Sequence, residues 1–343
     1  MARFLETYFR GGRGAGRRLS ARIVLAVLAA LALLLSALNL PSIAAAFGEI
    51  GQYLQYKFIQ RALIVGVLVS LCAALLGVTL VLKRYSMIGD GLSHVGFGAL
   101  SVATALGFVT AESLPGFLPE ELRRGIGALC ASISENPLPF TLVVVIALAF
   151  LILRMSEGSA IRGDAAIALL STGALAVGVL VTSATSGMNV DVMNYMFGSI
   201  LAMSSADVLL SVSLSIAVLV LFMLFRNRIF SVTFDETFAR ATGTQVGMYN
   251  MLIAILTAVT IVIGMRMMGT MLISSLIIFP ALSSMRVLSN FRAVLISSAA
   301  ISVACFVAGI MLSCLYSIPA GAAIVLTNLA VFLIFTLIGR ARS

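Results

Sequence analysis

Apolar residues in this chain fall into long blocks, not into the alternation of a half-buried strand or the narrow stripe of a surface helix. Blocks at residues 23–40, 62–82, 92–109, 138–153, 165–182, 208–225, 248–265, 268–285, 294–316 and 320–338 are separated by short polar breaks. Each approaches the about 20 residues that an α-helix needs to cross a hydrocarbon layer of about 30 Å. The pattern predicts an all-α, polytopic membrane protein of ten transmembrane helices. The block at 138–153 is short, and that at 268–285 carries Pro280 near its end. Gly264, Gly269 and Pro280 interrupt the second half, marking either broken helices or close packing.

Composition agrees. The 343 residues are 61% hydrophobic and 10% charged, with a mean hydropathy of +1.14, outside the range of soluble globular domains. Arg3, Arg10, Arg13, Arg17, Arg18 and Arg22 precede the first block. Counting crossings from there puts Lys83, Arg84, Arg154, Arg162, Arg226, Arg228, Arg286, Arg292, Arg340 and Arg342 on that same side, so both termini are expected in the cytoplasm, with the chain in the plasma or inner membrane. The opposite side receives 110–137 and 183–207 as loops, with Asp191 and Asp207 in the second. The net charge of +9 sits in short loops at helix ends, which argues against a nucleic-acid partner. Residues 23–36 behind the Arg-rich start mimic a signal peptide, but Leu38-Asn39-Leu40 is a poor cleavage site and a retained first helix is expected. Cys72, Cys130, Cys305 and Cys314 form no C-x-x-C pair. No soluble domain interrupts the series.

Candidate chemistry centres on the single histidine. His94 follows Asp90 by four residues in Gly89-Asp90-Gly91-Leu92-Ser93-His94, which places a carboxylate and an imidazole on one helix face. Such a pair suits Zn²⁺ or Mn²⁺, and an ion inside the membrane needs its hydration shell replaced. One helix offers two ligands, and a twofold dimer offers four. Gly89, Gly91, Ser93, Gly96 and Gly98 allow neighbouring helices to approach closely. A structural Asp-His hydrogen bond capping the helix start is the competing reading.

A second candidate element lies between the sixth and seventh blocks. Thr233 reads as an N-cap with Glu236 three residues on, and Gly243 as a helix stop, so 233–243 predicts a short helix along the membrane face. Phe234 and Phe238 share one side of it, Ala239 and Ala241 are small, and Asp235, Glu236 and Arg240 are polar. Docking into a partner's groove and resting on lipid headgroups both fit this pattern.

Several motifs resemble, in order, those of permease subunits from zinc, manganese and iron uptake ABC transporters. They are Gln60-Arg61-Ala62-Leu63, Lys83 through His94, Phe197 through Ser204, Asp235 through Gly243, and Pro319-Ala320-Gly321-Ala322-Ala323-Ile324-Val325. The resemblance implies a permease domain over 60–343, preceded by an N-terminal basic tail, extra helix and outside loop over 1–59. It implies metal binding by Asp90 and His94, and coupling to an ATPase through Asp235, Glu236, Phe238, Ala239, Arg240, Ala241 and Gly243. The implied partners are a cytoplasmic ATP-binding subunit, an extracytoplasmic metal-binding protein, a second permease copy and membrane lipid. The cargo is a divalent metal, Zn²⁺ or Mn²⁺ and by family Fe²⁺ as well, with no permanently bound cofactor. Gly91 replaces the family's usual Ala, Ser199 stands where Asp is common, and 110–137 is extra. The chain has no G-x-x-x-x-G-K-[ST] loop, so it is not expected to hydrolyse ATP.

Two rival classes follow from the same residues. An intramembrane aspartyl protease requires G-x-G-D, whereas Asp90 follows Met87-Ile88-Gly89 and Asp164 follows Ile161-Arg162-Gly163. A proton-coupled secondary carrier remains as the alternative, because an Asp-His pair also relays protons.

Overall fold

The computed structural model describes residues 55–85, 87–108, 115, 119–158, 163–185 and 205–342, and among these it contains helices and no strand. The elements are α1 (Lys57–Leu82), α2 (Ile88–Ala105) continued by a 3₁₀ turn (Leu106–Phe108), α3 (Glu120–Glu135), α4 (Pro137–Gly158), α5 (Gly163–Ala184), α6 (Ser205–Phe234), α7 (Glu236–Ala241), α8 (Val246–Met268), α9 (Thr270–Val287), α10 (Phe291–Tyr316) and α11 (Ala320–Arg342). Eight of these helices are long and apolar enough to cross a membrane, or nine if α3 and α4, bent by 90° at their junction, form one span. Nine of the ten predicted blocks thus coincide with described helices. The block at 23–40, the Arg residues before it, Arg162, Asp191 and Ser199 lie outside the described residues.

Two expectations are corrected, and a third, left open between broken helices and close packing, is resolved. Residues 120–135, expected within a loop, form α3: Pro119 opens it and Glu120 and Glu121 occupy its first turn, where carboxylates favour the positive helix end. Asp207 belongs to the first turn of α6 rather than to a loop. The helix break in the second half falls at Gly269, not at Pro280. Gly269 adopts φ 87° and ψ 160°, a conformation essentially reserved for glycine, and joins α8 to α9 as a single-residue hinge. Pro280 sits inside a continuous α9, and the Ser284 hydroxyl donates to the Pro280 carbonyl at 2.8 Å.

Helix α1 forms the centre, packed by α6, α8, α9 and α10. A Cβ at Gly77 would strike the Ile277 backbone of α9, so this crossing requires glycine. Across the α1–α10 contact, Ser302 donates to the Ser70 carbonyl at 3.0 Å and Ser298 to the Ala74 carbonyl at 3.4 Å. Such interhelical bonds contribute about 0.6 kcal/mol each on average. A single apolar cluster runs from Val69 and Leu76 through Ile261, Ile273 and Phe306. By contrast α5 and α6 expose Leu169, Leu180, Leu209 and Leu224, as surfaces facing lipid or another chain do.

Candidate functional site

Helix α2 is placed by the loop that precedes it. At the end of α1, Tyr85 N–H donates to the Leu80 carbonyl at 2.9 Å and Arg84 N–H to the Val81 carbonyl at 3.1 Å, the paired bonds of a Schellman stop. The left-handed residue of that stop is Arg84, at φ 64°, where glycine is usual. The turn leads directly into α2, whose glycines lie against three neighbours. Side chains at Gly91 and Gly98 would meet Ile167 and the Ala174 backbone of α5, one at Gly96 would meet Met265 of α8, and one at Gly89 would press on Ile277 of α9.

The chemistry lies beside the Gly91 contact with α5. Asp90 and His94 lie on one side of α2 with Asp90 Oδ2 and His94 Nε2 3.6 Å apart, too far for a hydrogen bond and close enough for both to reach one ion. The His94 side chain is 25% exposed and that of Asp90 49%. The capping reading does not hold, because the N-cap of α2 is Met87 and no side chain caps it. Ser93 instead donates back to the Asp90 carbonyl at 2.7 Å. Asp90 stands in the first turn of α2 and His94 one turn deeper, so the pair lies toward one end of the span.

These two side chains line a cavity of about 390 Å³ between α2 and α5, whose other walls include Ser171, Thr172 and Asp164. Asp164, exposed in the first turn of α5, is the acidic group that the spacing argument did not bring to this site. The signal for it was its position immediately before an apolar block, as Asp90 shortly precedes another. Among the described residues no three His, Cys, Asp or Glu side chains converge closely enough to hold a metal ion. The four cysteines are free and away from this cavity.

The short predicted helix is present as α7, with its start displaced. Asp235, not Thr233, is the N-cap: its carboxylate accepts from Phe238 N–H at 2.9 Å, while Thr233 remains in α6 and donates to the Ile229 carbonyl at 2.6 Å. Phe234 likewise stays in α6, packed on Phe230 and Phe291. Gly243, at φ 79°, ends α7 in a Schellman stop, with bonds from Gly243 N–H to the Arg240 carbonyl and from Thr244 N–H to that of Ala239. Ala239 is buried against Val232 and Val246, so this face turns inward. Phe238, 62% exposed, turns outward together with Arg240 and Ala241.

A buried polar network ties α7 to the Lys83 end of α1. Lys83 Nζ lies 2.7 Å from Glu236 Oε1 and 2.6 Å from Asn250 Oδ1, and Asn250 Nδ2 donates to the same Glu236 oxygen at 3.3 Å. Burial alone would raise the Glu236 pKa, but the hydrogen bond and charge of Lys83, the Asn250 amide and Arg240 hold it below its ordinary 4.5. The loop that leads to Asp90 and the surface helix α7 are thereby joined through one ammonium group.

Known proteins share the sequence pattern and the fold. Residues 55–118 and 123–339 match the ABC 3 transport family. The chain is 26% identical over 281 residues to the manganese transport system membrane protein MntC of Halalkalibacterium halodurans, covering 82% of this chain and 87% of that protein. It is 25% identical to the high-affinity zinc uptake system membrane protein ZnuB of Haemophilus influenzae, covering 81% and 97%. Its fold matches PsaBC from Streptococcus pneumoniae, solved in complex with Fab, with a TM-score of 0.68, 26% identity and coverage of 84% and 95%. This chain, a multi-pass protein of the cell membrane, belongs to the ABC 3 transport family.

Proposed function

We propose that this chain is the permease of an ABC importer of a divalent transition metal, Zn²⁺ or Mn²⁺, and that Asp90 and His94 hold the ion in transit. The observation that carries the reading is their 3.6 Å approach on the wall of a cavity of about 390 Å³. A carboxylate and an imidazole match the donor preferences of both metals. Two ligands leave a tetrahedral ion half-coordinated. A second copy of the chain related by a twofold axis supplies the other pair, and the uncovered apolar surface of α5 beside the cavity accords with this.

The chain lacks a phosphate-binding loop, so an ATP-binding subunit provides the energy. It docks on the outward face of α7, where Phe238, Arg240 and Ala241 are exposed and Asp235, Glu236, Ala239 and Gly243 shape and anchor the helix. An extracytoplasmic binding protein delivers the ion to the opposite end. Residues 60–343 form the permease unit, residues 1–59 are an addition to it, and both termini lie in the cytoplasm.

Metal uptake in cells lacking their own system, with the ATP-binding subunit and binding protein co-expressed, tests the assignment. Asp90→Ala and His94→Ala are each expected to reduce uptake at least tenfold while leaving co-purification with the ATP-binding subunit intact. Full uptake by both variants removes the site. Uptake by the purified chain alone, driven by a pH gradient, turns the reading to a secondary carrier.

A further inference from the structure

A second cavity, about 670 Å³, shares no wall with the Asp90 cavity and is within the roughly 300–1,000 Å³ typical of ligand sites. It is a groove between α6 and α10, floored by Leu71 and Leu75 of α1. Its composition is divided along its length. Leu219, Phe222, Leu295 and Ala299 make an apolar channel, and Arg226 and Arg292 stand at its α7 end beside Asn227. No acidic residue lines it among the described residues, and neither guanidinium takes part in an ion pair there. Seven residues separate Leu219 from Arg226, and seven separate Arg292 from Ala299. At 1.5 Å per residue each wall runs about 10 Å from the charged mouth, against about 15 Å for one leaflet of hydrocarbon.

We propose that this groove binds one anionic glycerophospholipid, its phosphate between Arg226 and Arg292 and an acyl chain along α6 and α10. Two guanidiniums above an apolar channel complement an anionic headgroup and its tail, and basic pockets between transmembrane helices take such headgroups. The aromatic wall at the mouth is rigid, since Phe230 and Phe291 pack with centroids 4.7 Å apart. Phe234 closes on Phe291 at 5.8 Å, so the last turns of α6 form part of the same wall, and α7 follows them directly. A lipid held here stiffens the base of α7. The site is independent of the metal assignment.

The test is native mass spectrometry of the full chain purified in mild detergent and offered phosphatidylglycerol or zwitterionic phosphatidylcholine. The wild-type chain is expected to retain one phosphatidylglycerol with at least tenfold preference. Arg226→Gln combined with Arg292→Gln abolishes that preference, whereas Arg124→Gln, far from the groove, keeps it. Ala299→Phe fills the channel with the arginines intact and also releases the lipid. Equal retention of both lipids, or phosphatidylglycerol retention unchanged in both groove variants, overturns the proposal. So does quantitative cross-linking of Met223→Cys to residues 23–40 or to a second chain in native membranes, which places protein in the groove instead.

Discussion

Gly91 shows how one residue sets the position of the site. It stands beside Asp90 in sequence and presses on α5, where a Cβ would collide with Cγ2 of the buried, β-branched Ile167. Ile167 has little rotamer freedom in a helix, so the collision is relieved only by moving α2 relative to α5. Alanine at 91, the residue usual in the resembling permeases, is therefore not benign in this chain. Gly91→Ala is expected to lower stability by about 1–3 kcal/mol, the usual cost of overpacking, and Gly91→Ala with Ile167→Ala to cost less than the sum of the two single substitutions, because each relieves the other's misfit. Thermal unfolding of the single and double variants in detergent measures this, and a Gly91→Ala midpoint equal to wild type would show that the helices separate freely. At this scale Asp90 and His94 were legible because i, i+4 spacing alone places them on one face. Asp164 was not, because its approach to the same cavity depends on how α2 and α5 cross.

Elements carry the link between the two ends of the site. Lys83 is buried at the end of α1, and its ammonium holds Glu236 of α7 and Asn250 of α8 together. Lys83→Met removes the ammonium that donates to both the Asn250 amide oxygen and the Glu236 carboxylate. It is expected to loosen α7 more than Glu236→Gln, whose amide oxygen still accepts from Lys83. Glu236 is 40% exposed, so solvent screening limits the effect to about 1 kcal/mol, roughly a fivefold change in opening. Amide exchange at Ala239, whose N–H donates to the Asp235 carbonyl, and at Thr244, the donor of the Schellman bond, reads it directly.

The pH dependence has a definite sign. Because the folded pKa of Glu236 is lowered, its contribution is complete above the ordinary 4.5 and is lost as pH falls below that value. The opening equilibrium of α7, read from exchange corrected for the intrinsic pH dependence of amide chemistry, should thus be flat from neutral pH down to about 5 and rise in more acid solution, and the Glu236→Gln chain should lack that rise. The stop of α7 was readable from Gly243. Its start was misplaced because Thr233 and Asp235 are both good caps, and the continuation of α6 through Phe234 decides between them. Helix α3 was missed because 110–137 is polar on average, although Pro119-Glu120-Glu121 is a helix opening and Leu122, Ile126 and Cys130 recur at helical spacing.

For the whole molecule, block lengths were enough to place every described span, but they say nothing of which ends meet. Contacts supply that. Lys83 reaches Glu236 and Asn250, Arg228 donates to Thr244 at 3.1 Å, and Gly339 abuts the Arg286 carbonyl. The ends of α1, α6, α9 and α11 and the start of α8 therefore gather at one pole, and among the described residues Lys83, Arg84, Arg228, Arg286 and Arg340 gather with them. Helix α3, turned 90° to α4, lies at the other end of α2 from this pole. Opposite faces of the membrane follow for α3 and α7, and the proposed importer requires α7 on the cytoplasmic one. In a chain with Cys72, Cys130, Cys305 and Cys314 replaced, Arg124→Cys should react with a membrane-impermeant maleimide added to intact cells. Arg240→Cys should react only after the membrane is opened. The reverse order would invert the molecule, place α7 beyond the reach of cytoplasmic ATPases and remove the importer reading, whatever Asp90 and His94 bind.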